Sequence, residues 1–198
     1  MFHFYNSYAM SMTVSRRKDT KTPRVFMHKT ADIRGGVSVN VTELGSDFLN
    51  EGTVLSAPQD GICHVVKVAQ VTAQVADTGK TISVKKGGQF KVGDYILTKV
   101  GNKASKITAI DDSAKDIDKI TVDAALGTIA IGDFVVEAKA ASTTTTSELK
   151  YAPFSLAGTG KPIDPKSNLN VDAWVIGVTQ GYPLPDFISE KLKGIINY

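Results

Sequence analysis

The sequence predicts a mainly β protein: a small β-barrel or sandwich body, preceded by an extended amino-terminal arm and followed by a short carboxy-terminal helix. Three observations predict it. Between residues 50 and 140, short β-branched runs alternate with turn chemistry at near-regular spacing. Residues 1–35 show no sustained helical or strand period and carry a basic excess. One stretch after Pro183-Leu184-Pro185 has both the start and the stop signals of a helix.

The arm opens with aromatics (Phe2, Phe4, Tyr5, Tyr8) and continues with Arg16, Arg17, Lys18, Lys21, Arg24, Lys29 and Arg34 against Asp19 and Asp32. The whole chain carries +3, so an arm at +5 leaves the remainder slightly acidic at −2. Such a segment has little capacity for a core of its own. It is either disordered or ordered by docking on a partner, and these eleven aromatic and basic side chains are the candidate docking residues.

Gly35-Gly36 breaks the chain, and Val37, Val39 and Val41 then alternate with polar residues as in a strand. The body (36–140) continues with Gly52-Thr53-Val54-Leu55, a turn at Pro58-Gln59-Asp60-Gly61, and β-branched runs over 64–69 and 71–75. A hairpin-like turn at Asp77-Thr78-Gly79-Lys80 leads into Thr81-Ile82-Ser83-Val84. One device occurs twice: Val92-Gly93-Asp94-Tyr95-Ile96-Leu97 is echoed by Ile131-Gly132-Asp133-Phe134-Val135-Val136. The glycine is suited to positive φ, and the aspartate can cap the turn locally. Between the copies, 104–110 and 119–122 read as strands. Residues 141–150, with their Ser-Thr-Thr-Thr-Thr-Ser run, read as a linker because no apolar face alternates there. In the last segment (151–198), 153–156 and 173–178 read as strands. Asp186 to Leu192 reads as a helix that Gly194 stops.

Composition bounds the function. With 42% hydrophobic and 22% charged residues among 198, the chain can bury a core without metals or disulfides. Cys63 is the only cysteine, which suits a reducing compartment. No run approaches 18 apolar residues, and Met1 to Tyr8 lacks the pattern of a signal peptide, so no membrane contact is expected.

The motifs of enzymes fall short. Gly158-Thr159-Gly160-Lys161 resembles the tail of a phosphate loop, but Ser155 replaces the early glycine and Pro162 stands where a hydroxyl should bind magnesium. Gly36-Val37-Ser38-Val39-Asn40 approaches a nucleophile elbow but ends in asparagine within a strand. Cys63 and His64 are strand neighbours, pointing to opposite faces, and so make a poor nucleophile and base. Asp111, Asp112, Asp116 and Asp118 lack the spacing of a calcium loop and read as a solvated turn between strands. No catalytic residue, cofactor or metal is expected. Two binding readings stand beside a structural one. A carbohydrate-binding module would rely on Tyr95, Tyr151, Trp174 and Tyr182, and a nucleic-acid-binding protein would rely on the basic arm.

Several segments together resemble the head fibre and capsid decoration proteins of tailed bacteriophages, particularly those infecting Bacteroidetes, including crAss-like phages. They are Gly52-Thr53-Val54-Leu55, Phe90 to Leu97, Ala104 to Asp111, Asp118 to Val122, Leu126-Gly127 with Ile131 to Val135, and Leu184 to Ile188 through Gly194-Ile195. Residues 1–40 have no counterpart in that likeness. The resemblance implies a non-enzymatic virion structural protein on the capsid exterior, made in the bacterial host cytoplasm. It would be bound as a multimer to the major capsid protein or another capsid component, with an outer part that can meet a host-surface glycan. The chain has neither coiled-coil heptads nor a collagen repeat, so a squat knob is expected rather than a long shaft. A homotrimer is the first expectation and a dimer the second, because shell attachments follow local symmetry axes. Phe187 and Leu192 are the candidate subunit contacts, the alternative being that the helix only caps the core.

Overall fold

Short β-branched runs punctuated by glycine produce a series of small strands in the computed structural model, which describes residues 24–198. The first part holds β1 (Phe26–Asp32), β2 (Val37–Val39), β3 (Phe48–Leu49), β4 (Val54–Ser56) and β5 (Ile62–Cys63). The middle holds β6 (Val68–Gln70), β7 (Thr81–Lys85), β8 (Tyr95–Leu97), β9 (Ala104–Asp111), β10 (Ile117–Val122) and β11 (Phe134–Ala138). The last part holds β12 (Pro153–Ala157), β13 (Lys161–Pro162), β14 (Leu169–Val171), β15 (Ala173–Thr179), the single turn of helix α1 (Asp186–Ser189) and β16 (Ile195–Asn197). Among the described residues, no helix is long and apolar enough to cross a membrane.

The middle strands form one six-stranded sheet in the order β6-β11-β8-β9-β10-β7. It curls until its two edge strands approach through a single bridge, Val71 to Val84, with Thr72 N–H donating to the Ser83 carbonyl at 2.8 Å. Among the described residues, no closed barrel forms. The inner face holds Ile82, Val84, Ile96, Ile107, Ile120, Ile129 and Val135 as one apolar cluster. The first and last parts of the chain interleave in a five-stranded sheet, β1-β15-β12-β4 with β16 added parallel to β15. A three-stranded sheet (β14-β2-β5) and the β13–β3 pair complete the set.

Strands β8 and β11 are buried on both faces. Ile96 and Val135 point into the curled sheet, while Leu97 and Val136 enter a second cluster with Phe26, Val54, Leu156 and Ile188. This explains why these strands read as unbroken apolar runs rather than alternating ones. The Gly-Asp device opens each of them in the same way. Gly93 and Gly132 sit at φ +101° and +93°, and Asp94 and Asp133 accept the N–H groups of Lys91 (2.7 Å) and Ala130 (2.8 Å), three residues back. Each glycine N–H also bonds a neighbouring segment, Gly93 to Ile107 O and Gly132 to Val71 O, both at 2.9 Å.

Four sequence expectations change. The part of the arm that is described belongs to the body: Phe26–Asp32 forms β1, paired antiparallel with β15. The pairing slips at three places, so the segment bends and bulges, and this erased the period-2 signal in the sequence. The Thr-rich stretch is not a free linker. Ser142 exchanges both backbone hydrogen bonds with Ala104, Gly101 N–H donates to the Ser147 carbonyl, and Leu149 bridges Ala138. Backbone pairing holds this stretch where no apolar face could. The expected helix from Asp186 to Leu192 is helical only over Asp186–Ser189. Pro185 stands at its N-cap position, without a side-chain cap. The turn before β7 is formed, but β7 pairs along its length with β10 and meets residues 71–75 only near its far end, at the Val71–Val84 bridge.

The glycine of the repeated device gives a direct test. Nothing lies within 4 Å of a Cβ added at Gly132, so Gly132→Ala acts through backbone strain alone. It should cost about 1–2 kcal/mol, read as a lower urea midpoint with an unchanged slope.

Candidate functional site

Two extended segments cross between the sheets. The first runs from β5 to β6: Leu55 bridges Val65 and Val66 N–H donates to Val54 O (2.9 Å), after which Lys67 O accepts from Glu137 N–H (3.0 Å) and β6 pairs with β11. The second runs from 148 into β12. Lys150 N–H donates to Glu137 O (3.2 Å), and β12 then pairs with β4. A chain of alternating charges lies along these crossings.

Lys67 is fully buried. Its Nζ donates to Asp94 Oδ2 at 2.6 Å and lies 3.4 Å from Glu137 Oε1. Glu137, on β11, is 2% exposed, and its Oε1 also accepts Lys150 Nζ at 2.9 Å. Lys150 reaches Glu43 Oε2 at 3.4 Å. Glu43 lies between β2 and β3, accepts the Tyr151 hydroxyl (2.8 and 2.9 Å), and its Oε1 is 3.1 Å from His64 Nδ1. The His64 and Tyr151 rings stack with centroids 4.2 Å apart. Asp94 thus serves both its own turn and the buried lysine, which the matching Asp133 does not.

The environment sets the protonation of this chain. Burial acts to raise the Glu43 carboxyl, but the Tyr151 hydrogen bond, then the Lys150 and His64 charges, outweigh it and hold the group below its ordinary 4.5. Glu137 moves the other way. Burial pushes it up against the pull of Lys67 and Lys150, and the Asp94 charge adds to the rise. Burial weakens the Lys150 ammonium, yet the hydrogen bond and charge of Glu137, with Glu43 beyond, keep it above the usual lysine range. The Tyr151 hydroxyl is pushed up to about 12 by burial and by its bond to Glu43, so it acts as a donor and not a base. Chemically the arrangement is a set of matched charges that fixes two crossing segments.

Of the candidate docking residues, Phe2, Phe4, Tyr5, Tyr8, Arg16, Arg17, Lys18 and Lys21 lie outside the described residues. Arg24 and Arg34 are exposed near the two ends of β1. Lys29 is engaged within the fold. It donates to the Gly158 carbonyl, and its Nζ lies 5.3 Å from the Phe26 ring centroid and 5.4 Å from that of Trp174. Leu192 is 3% exposed inside the second cluster, which is the core-capping role, while Phe187 packs at the edge of that cluster and stays partly uncovered. The four aromatics weighed for carbohydrate binding form no shared platform. Tyr95, Tyr151 and Trp174 pack against the second cluster, and Tyr182 lines a small crevice with Lys67.

The motifs set aside in the sequence have structural roles. Thr159 donates to Asp172 and Lys161 to the Asn170 carbonyl, so both side chains of the Gly158–Lys161 loop are engaged by the neighbouring 170–172 segment. Cys63 lies in the third core cluster, while His64 turns to Glu43. In the acidic turn, Lys86 Nζ takes the cation's place, donating to the carbonyls of Asp112 (2.6 Å) and Ala114 (2.7 Å), with Asp118 Oδ1 at 3.4 Å. Among the described residues, no group of three or more His, Cys, Asp or Glu could hold a metal ion.

Lys67, Glu137, Glu43 and Lys150 were missed in the sequence. Their signal was present in two places: Lys67 interrupts a β-branched run, and Glu137 directly follows Phe134-Val135-Val136. A charge at a core position of an apolar strand implies a buried partner. No family model, curated protein or solved structure matches the chain.

Lys67→Met keeps most of the side-chain volume but takes the buried ammonium from Asp94 and Glu137, leaving Glu137 with Lys150 as its one cation. It should cost about 3–5 kcal/mol in urea unfolding, whereas breaking the exposed Lys139–Glu148 pair should change stability by under about 0.5 kcal/mol. The folded Glu43 lies below its unfolded value, so it stabilises above the ordinary 4.5 and that contribution is lost as pH falls through the lowered folded value. The stability gap between wild type and Glu43→Gln should therefore shrink from neutral pH toward about pH 3, and a constant gap would contradict the assignment.

Proposed function

We propose that this chain is a non-enzymatic structural protein attached as a multimer to the outside of a tailed-phage capsid. A face of the five-stranded sheet that is left apolar supports this best. Ile196 is the Cα partner of Val178, and Ile176 lies two positions from Val178, so the three occupy one face. Ile176 is 46% and Ile196 64% exposed, and Tyr198 follows at 67%. Covering each aliphatic residue against a partner would contribute about 1 kcal/mol or more. On β1, Met27 is 58% exposed, and Arg24 and Arg34 flank that strand with positive charge. Because β1 pairs with β15, these arginines flank a strand of the same sheet that carries the apolar face.

The interior supports binding over turnover. Its charged side chains are matched to one another along the sheet crossings and are spent on holding shape. In this proposal the rigid projecting part is the six-stranded sheet, a small β body whose edges come close to barrel closure at Val71 and Val84. A homotrimer on a local three-fold axis is the preferred assembly, with a dimer second. Phe187 remains a candidate subunit contact, whereas Leu192 is occupied by the core.

The purified chain should co-sediment with capsids of the phage that encodes it. The Ile176→Asp, Ile196→Asp double variant should keep its circular dichroism and lose most of that binding, by about tenfold or more. Wild-type chain that stays in the supernatant at every capsid concentration would defeat the proposal.

A further inference from the structure

The connection between β8 and β9, the turn before β11, and the segment around α1 enclose an open groove of about 770 Å³. That is within the range of small-ligand sites, roughly 300–1,000 Å³. Two phenylalanine rings that the fold leaves partly uncovered, Phe134 and Phe187, line it together with Asn102, Thr128, Asp186 and Glu190. Those four polar side chains make no hydrogen bond to any described residue, unlike the turn carboxylates elsewhere. Asp111 and Asp164, for example, are closed on Ser113 and on Lys166 N–H.

We infer that this groove is a binding site for a neutral oligosaccharide. A pyranose ring carries an apolar C–H face that can lie on an aromatic ring, and hydroxyls that both donate and accept. Phe134 and Phe187 supply rigid apolar surface at low entropic cost. The Asp186 and Glu190 carboxylates accept charge-assisted hydrogen bonds from hydroxyls, and the Asn102 amide can both donate and accept. Asp133 adds a third carboxylate beside a single lysine, Lys99, so phosphate or sulfate groups are repelled and a nucleic acid is disfavoured. Of the four aromatics that the sequence offered for this role, Tyr95, Tyr151 and Trp174 are packed elsewhere and Tyr182 lines a separate crevice; the groove uses two phenylalanines instead. Capsid attachment is not needed for the inference, since the isolated chain should bind.

The test is an array of neutral glucan, mannan, galactan and N-acetylglucosamine oligosaccharides, followed by calorimetry with the strongest member. At least one should bind with a dissociation constant of about 10 μM to 1 mM, as expected for a shallow site. Phe187→Ala should weaken it about tenfold or more, and so should the Asp186→Asn, Glu190→Gln pair, which alters only exposed side chains and spares the core. Three results would each overturn the inference: no neutral oligosaccharide held at 1 mM, binding that the Asp186→Asn, Glu190→Gln variant leaves intact, or a groove that selects a basic or proline-rich peptide over every sugar. Loss of capsid co-sedimentation with sugar binding intact would count against attachment alone.

Discussion

The buried ammonium of Lys67, held between Asp94 and Glu137, is the constraint on which the two halves of the structure depend. Removing an ammonium and two carboxylates from water costs several kcal/mol per ion, and only close, matched geometry returns it. That geometry exists in one arrangement. Lys67 must sit where the first crossing segment changes sheets, Glu137 must face it from β11, and Lys150 must arrive on the second crossing to share the same Glu137 Oε1. Replacing all of these charged side chains together with well-packed apolar ones could match the stability. It would not specify the register in which two unlike sheets meet, since hydrophobic burial is non-directional.

Burial of β8 and β11 on both faces follows from the same join. Their inner faces fill the curled sheet, and their outer faces pack on the five-stranded sheet. The Gly-Asp turns that open them carry the load of strand entry, with a positive φ and a carboxylate cap at each. One copy has acquired the second task of holding Lys67, so a local turn device and the long-range ion chain meet at Asp94.

A scaffold pinned in this way leaves its surfaces available for contact. The outer β15–β16 face is apolar beside the exposed arginines of β1, which suits a broad protein partner. The groove at α1 combines aromatic rings with unengaged polar groups, which suits a small polyhydroxylated one. Each surface is formed by segments distant in sequence, and neither requires a reacting group.

By itself, the sequence determined the local chemistry. The β class, the turn read at Pro58 to Gly61 (formed one residue later, at Gln59 to Ile62), the repeated Gly-Asp openings and the β9–β10 hairpin were legible because neighbours within a few positions fix them. The resemblance to phage decoration proteins rests on those same local patterns and stays a proposal. Tertiary structure decided the rest. β1 is a strand because β15 supplies its hydrogen bonds, and residues 141–150 are ordered because Ala104, Gly101 and Ala138 pair with them. Glu43 and Lys150 meet across 107 positions, and no periodicity encodes such a meeting. A charge inside an apolar run, as at Lys67 or Glu137, signals that a partner exists, but neither segment alone names that partner, since each group is chosen for one that only folding brings within reach.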